Sequence, residues 1–125
     1  MKKINLVFFS FFLFMSCKEK ENGFAEISVN SKYGFGEIKS TDSVVHTFKV
    51  KNISKVDLLI KEVGTSCGCT VVTISDSIVK ENEYTEIKTT FVPDSNTKGK
   101  VNKSIVILAN TNPPYTSLEV FGYVK

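Results

Sequence analysis

The sequence has no tryptophan and no arginine, and only one histidine, two methionines and three cysteines in 125 residues. Each scarcity excludes something. Without guanidinium groups the chain lacks the usual footprint for phosphate backbones, so nucleic acid is not an expected partner. Without tryptophan, a core has to rest on aliphatic side chains and phenylalanine. A single imidazole, His46, leaves little material for acid–base chemistry. Both methionines, Met1 and Met15, precede the first cysteine, so the rest of the chain offers a soft metal no thioether.

Long apolar runs are also scarce, and the one present opens the chain: "MKKINLVFFSFFLFMSC". Lys2 and Lys3 are followed by an apolar stretch, Ile4 to Met15, broken by Asn5 and Ser10. Twelve helical residues reach about 18 Å, short of the roughly 30 Å of a hydrocarbon core. The segment therefore reads as a secretory signal rather than a membrane span. It ends in Ser16-Cys17, a small residue followed by cysteine, which resembles the lipobox of bacterial lipoproteins, with Phe14 where leucine is usual. That resemblance implies cleavage before Cys17 and acylation of its sulfur. More than one acyl chain gives durable anchoring, at about 0.8 kcal/mol per buried CH₂.

Cleavage after residue 16 removes two lysines and leaves fourteen against thirteen acidic residues, so the formal charge falls from +3 to +1. The expected organisation is a signal peptide over 1–16, a lipidated N-terminus and polar tether over 17–23, and one domain over 24–125. The tether begins Lys18-Glu19-Lys20-Glu21. Lys18 in place of aspartate resembles the sorting pattern that sends lipoproteins to the outer membrane, facing the periplasm or the cell surface.

Beyond the tether the apolar period is two. "VVHTFKVKN" places His46, Phe48 and Val50 on one side and Val45, Thr47, Lys49 and Lys51 on the other. "EYTEIKTTFV" alternates Thr85, Ile87, Thr89 and Phe91 with Glu86, Lys88 and Thr90. The last segment sets Leu118, Val120 and Gly122 against Glu119, Phe121 and Tyr123. With "AEISV", "VDLLIKEV", "TVVTI" and "VNKSIVILAN", this predicts about seven strands in an all-β, immunoglobulin-like antiparallel sandwich. Pro93, Pro113 and Pro114 fall in its loops. The antibody-type Cys…Trp…Cys pattern is absent. The outward pairs Phe121/Tyr123 and Val106/Leu108 are candidates for an apolar partner surface.

"SCGCT" (Ser66 to Thr70), a Phe35-Gly36-x-Ile38 opening, His46-x-Phe48-x-x-x-Asn52, a loop with Gly99 before Lys103, and Gly122 in the last strand together resemble the DUF1573 family. The resemblance covers roughly Phe24 to Lys125. It implies a small bacterial Ig-like domain, common in exported proteins and lipoproteins, with no established biochemical activity. The chain departs from the family where a Pro-Gly-Glu turn is usual and "KENE", residues 80–83, stands instead.

Cys67 and Cys69 admit several readings. In an extended strand residues i and i+2 share a face, but their Cα atoms sit near the 6.8 Å limit for a disulfide, so a bridge calls for a bend at Gly68, where glycine permits positive φ. Closing so small a loop stabilises by only about 1.5 kcal/mol, and small rings are readily reduced. Export favours a bridge over two free thiols. Structural zinc wants four ligands, whereas Cu(I) accepts two thiolates, which keeps a metal role for Cys67 and Cys69 open. Nucleophilic chemistry lacks a base, since His46 is in phase with the apolar face of its strand and reads as a hydrogen-bonded core residue. The sequence thus points to a non-catalytic, lipid-anchored binding or scaffolding module of the cell envelope. It has no catalytic residues or cofactor, and its partners are the membrane and an unidentified envelope protein. The alternative is thiol-redox or copper binding through Cys67-Gly68-Cys69.

Overall fold

The computed structural model describes residues 23–125. Residues 1–22, on which the expected leader, the expected lipidation at Cys17 and most of the expected tether fall, lie outside the described residues.

Among these residues the chain forms nine strands: β1 (Ile27–Ser28), β2 (Lys32–Ile38), β3 (Val44–Asn52), β4 (Leu58–Thr65), β5 (Thr70–Ile74), β6 (Ile78–Val79), β7 (Tyr84–Phe91), β8 (Gly99–Ala109) and β9 (Tyr115–Val124). They make two sheets, ordered β1-β3-β7-β5 and β2-β9-β8-β4-β6. Up to β8 every successive strand lies in the opposite sheet. The β8–β9 pair alone is a sequence-local hairpin, running from Gly99↔Val124 to Leu108↔Tyr115. Each other junction crosses the sandwich, so what holds those crossings decides how the sheets stay in register.

The period-two phases of β3, β7 and β9 stand as the sequence dictates. Phe48 and Val50 are buried while Val45, Thr47 and Lys49 are exposed, and Ile87, Phe91, Leu118 and Val120 also point inward. With no tryptophan, the largest fully buried side chains are Phe48, Phe91, Leu58, Ile87, Ile105, Ile107 and Leu118. Each contributes about 1.5–3 kcal/mol relative to exposure. The three prolines lie outside the strands.

Two strands were not in the sequence expectation. β6 is two residues long and pairs only with Leu58 and Leu59. β2 pairs with β9 in parallel, the one departure from antiparallel order among the named strands, and its register shifts between Gly34 and Gly36. Two glycines and the shift break the alternation that marks a strand. Both sides of this pairing need missing side chains. The Phe121 ring covers Gly34, and a Cβ on Gly122 would collide with the Phe35 ring and lie 2.6 Å from the Gly36 carbonyl oxygen.

The "KENE" departure leaves the turn intact. Glu83 N–H donates to Lys80 C=O at 3.0 Å, and Asn82 adopts φ 62°, the left-handed position that glycine would otherwise fill. Asparagine tolerates that region better than other non-glycine residues.

Candidate functional site

Two turns flank β4, one on each side of its passage through the five-stranded sheet. At the first, the chain leaves β3 at Asn52. This side chain is fully buried and fully bonded. Its Nδ2 donates to Val56 C=O (2.8 Å) and Val79 C=O (2.9 Å), and its Oδ1 accepts from Ser54 N–H (2.9 Å) and Ser54 Oγ (2.6 Å). Its backbone is tied to the Asn82 turn through Asn52 N–H to Glu83 C=O and Asn82 N–H to Asn52 C=O. One amide thereby joins β3, the β3–β4 loop and β6. Only the position of Asn52 in the family pattern hinted at this role.

The second turn is Ser66 to Thr70. Cys67 and Cys69 are joined by a disulfide, with their Cα atoms 5.3 Å apart. The bend is not the one the sequence suggested. Positive φ among the glycines occurs at Gly36 (75°) and Gly99 (97°), not at Gly68. The cysteines occupy a reverse turn closed by Thr70 N–H to Cys67 C=O at 3.2 Å, which brings i and i+2 together without left-handed backbone. Around it, Cys69 N–H donates to Cys67 Sγ (3.2 Å), Thr65 Oγ1 to Cys67 C=O (3.0 Å), and Val92 N–H to Cys69 C=O (3.0 Å). Both cysteines are half-buried, and Cys69 packs against the core.

In this arrangement the two sulfurs are spent on each other. As a metal clip, Cys67 and Cys69 find no further ligands, because no group of three or more His, Cys, Asp or Glu converges among the described residues. His46 does not serve them as a base. It stacks on Tyr33 (ring centroids 3.7 Å, 8° between planes) and meets Phe48 edge-on at 4.6 Å. The hydrogen bond expected of it is replaced by ring packing, and burial pushes its imidazole below the ordinary 6.5. At the same end the Thr70 and Thr89 hydroxyls are buried without partners. Lys103 lays its ammonium over the Phe91 ring at 5.9 Å.

The outer face of the five-stranded sheet carries the other candidate. Phe121 and Tyr123 are 41% and 47% exposed and flank a shallow groove of about 600 Å³, bordered by Lys32, Lys100, Asn102 and Glu119. Val106 and Tyr115 continue the apolar surface along β8 and β9, while Leu108 is half-buried.

Two packed sheets, a core of aliphatics and phenylalanine, and strands that switch sheets at nearly every junction define an immunoglobulin-like β-sandwich. More particularly, residues 27–124 match the family model DUF1573, a protein of unknown function, and the chain belongs to that family. No curated protein matches the sequence. Among solved structures, it is similar to a protein of unknown function from Porphyromonas gingivalis W83, with TM-score 0.73 and 12% identity over 81% of this chain and 47% of that one. It is also similar to PapD-like domain 7 of human CEP192 (TM-score 0.64, 8% identity, 82% of this chain and 87% of that one). A third likeness is to the secreted serine protease VesC of Vibrio cholerae (TM-score 0.63, 8% identity), of which this chain spans 23%. The chain thus spans about half or less of the two longer bacterial proteins. At such identities the likeness is one of fold.

Proposed function

We propose that this protein is a non-catalytic binding or scaffolding module of the bacterial cell envelope, held on the outer membrane by a lipid on Cys17. The observation that carries the reading is the apolar groove beside Phe121 and Tyr123. Large aromatic side chains left half in water next to Lys, Asn and Glu are what a protein-binding surface offers, an apolar centre with a polar rim. The Cys67–Cys69 disulfide supports export, since such bridges persist in oxidising compartments. The Ser16-Cys17 junction after a short apolar leader supports the anchor.

Crosslinking in intact envelopes tests the binding role. A partner captured by the wild-type chain and lost with the double variant Phe121→Ser and Tyr123→Ser supports it, and capture unaffected by those changes removes the groove from the account. Cys17→Ser is expected to move the protein from the membrane to the soluble fraction and to abolish labelling by a fatty acid. A Cys17→Ser protein that still labels and still sediments with membranes would rule out the anchor.

A further inference from the structure

Four strands lie at the sheet margins among the described residues, and three of them carry the usual protections against adding another strand. β1 and β6 are two residues long. β2 has a register shift at Gly34/Gly36 and two charged residues, Lys32 and Glu37, each in an ion pair. β5 has none of these. Its five residues, Thr70-Val71-Val72-Thr73-Ile74, hold no charge, no proline and no bulge, and Val71 is 60% exposed. A bare edge of this kind is a template for pairing.

The hydrogen-bond phase of that edge is fixed. Cys69 C=O accepts from Val92 N–H and Ser75 N–H donates to Glu86 C=O, each at 3.0 Å, so the odd residues of β5 face β7. In an antiparallel ladder the even residues then turn their N–H and C=O outward. Of these, Thr70 N–H is already taken by Cys67 C=O. Thr70 C=O and both groups of Val72 and of Ile74 face the open edge.

We infer that β5 is a homodimer interface, at which a second copy of this chain adds its own β5 antiparallel about a two-fold axis at Val72. In that register Val72 exchanges both its hydrogen bonds with Val72 of the second copy. Each Ile74 N–H donates to Thr70 C=O of the other copy, the one acceptor there whose own N–H is spent in the disulfide turn. Val71 stands opposite Thr73 across the seam. Asp76, the nearest charge beyond the strand, falls opposite Gly68 rather than another carboxylate. The edge therefore pairs with itself through Val72, Ile74 N–H and Thr70 C=O without like-charge contacts, as an isologous interface must, and Ile74 C=O is left to water. Two four-stranded sheets become one continuous sheet. The inference concerns the folded domain alone and stands whether or not Cys17 carries a lipid.

The test uses the full chain, purified as the cell processes it in mild detergent, with mass read by sedimentation across a concentration series. The wild type is expected to show a dimer that dissociates on dilution. Val71 and Thr73 point outward from the sheet, so charging them leaves the core alone, and because Thr73 stands opposite Lys88 of β7 the urea midpoint of each variant is checked first. The variant Val71→Lys with Thr73→Lys, and its counterpart Val71→Glu with Thr73→Glu, each put like charges opposite one another. Each should weaken the dimer about tenfold or more, and mixing the two should restore it. Val72→Pro removes the axial N–H, which β7 does not use, and should give a monomer with unchanged circular dichroism. A wild type that stays monomeric throughout, or charge variants that dimerise as the wild type does, or a mixture that fails to recover, overturns the proposal. So does a monomeric wild type whose β5 crosslinks to a different protein.

Discussion

The turns on either side of β4 do the same job by opposite means. Both carry the chain from one sheet to the other. At Asn52 the crossing is held by a buried amide that satisfies every polar atom near it, including two carbonyls from different segments. At Cys67–Cys69 it is held by a covalent ring that is half in solvent, beside two buried hydroxyls with no partner. The covalent link looks the stronger and is the weaker stabiliser. A bridge between near neighbours removes little freedom from the unfolded chain, whereas removing a buried amide forfeits several hydrogen bonds at a point closed to water.

That ranking can be broken directly. Asn52→Ala deletes four hydrogen bonds in a fully buried site, and should destabilise the domain by about 3 kcal/mol. Asn52→Asp is expected to cost at least as much at neutral pH, since it aims a carboxylate oxygen at two carbonyls. Urea titrations of both variants measure the effect. Losses below about 1 kcal/mol would mean that water replaces the amide freely and that the crossing is held elsewhere.

The cysteine turn sharpens the contrast from the other side. Replacing Cys67 and Cys69 together by serine should cost no more than about 1.5 kcal/mol, the entropy of a three-residue loop, with far-ultraviolet circular dichroism unchanged. The backbone bonds from Thr70 to Cys67 and from Val92 to Cys69 need no sulfur. A loss approaching that of Asn52→Ala would reverse the ranking and make the ring the principal clamp.

How visible each feature was in the sequence follows the same division between local and distant causes. The phases of β3, β7 and β9 could be read because inward and outward residues simply alternate, and the loops because proline, glycine and asparagine mark them. β2 could not, since Gly34 and Gly36 empty the positions that would have shown a period, and its parallel partner β9 lies at the other end of the chain. The cysteine pair was visible but its geometry was not. Two cysteines around a glycine read as the end of a strand, and only the Thr70–Cys67 hydrogen bond makes them a turn. Asn52 was seen as part of a pattern without a role, because Val56 and Val79 are brought to it by two separate crossings. The outward phase of Phe121 and Tyr123 was legible, whereas the groove beside them depends on Lys32 arriving from β2.

The smallest expected effect also separates the two ends. His46 pairs across to Thr89, which pairs in turn with Val72, so the imidazole sits one row in from Val44–Phe91–Thr70 at the cysteine end. Tyr33 and Phe48 pack on it, and burial holds its folded pKa below the ordinary 6.5. On acidification the unfolded chain therefore takes up this proton first. The contribution of His46 is fully present above about pH 6.5 and is lost as the pH falls through the lower, folded value. Because the ring keeps partial access to solvent, the loss is modest. His46→Phe, which can still stack on Tyr33, isolates the effect. The difference between wild-type and variant urea midpoints should shrink as the pH rises past 6.5 and widen against the wild type below it. Amide exchange at low pH should quicken first in β5 and the Thr89 end of β7, while amides around Asn52 hold. Uniform quickening at both crossings would show that the two ends unfold as a single unit and that the division between them is one of chemistry alone.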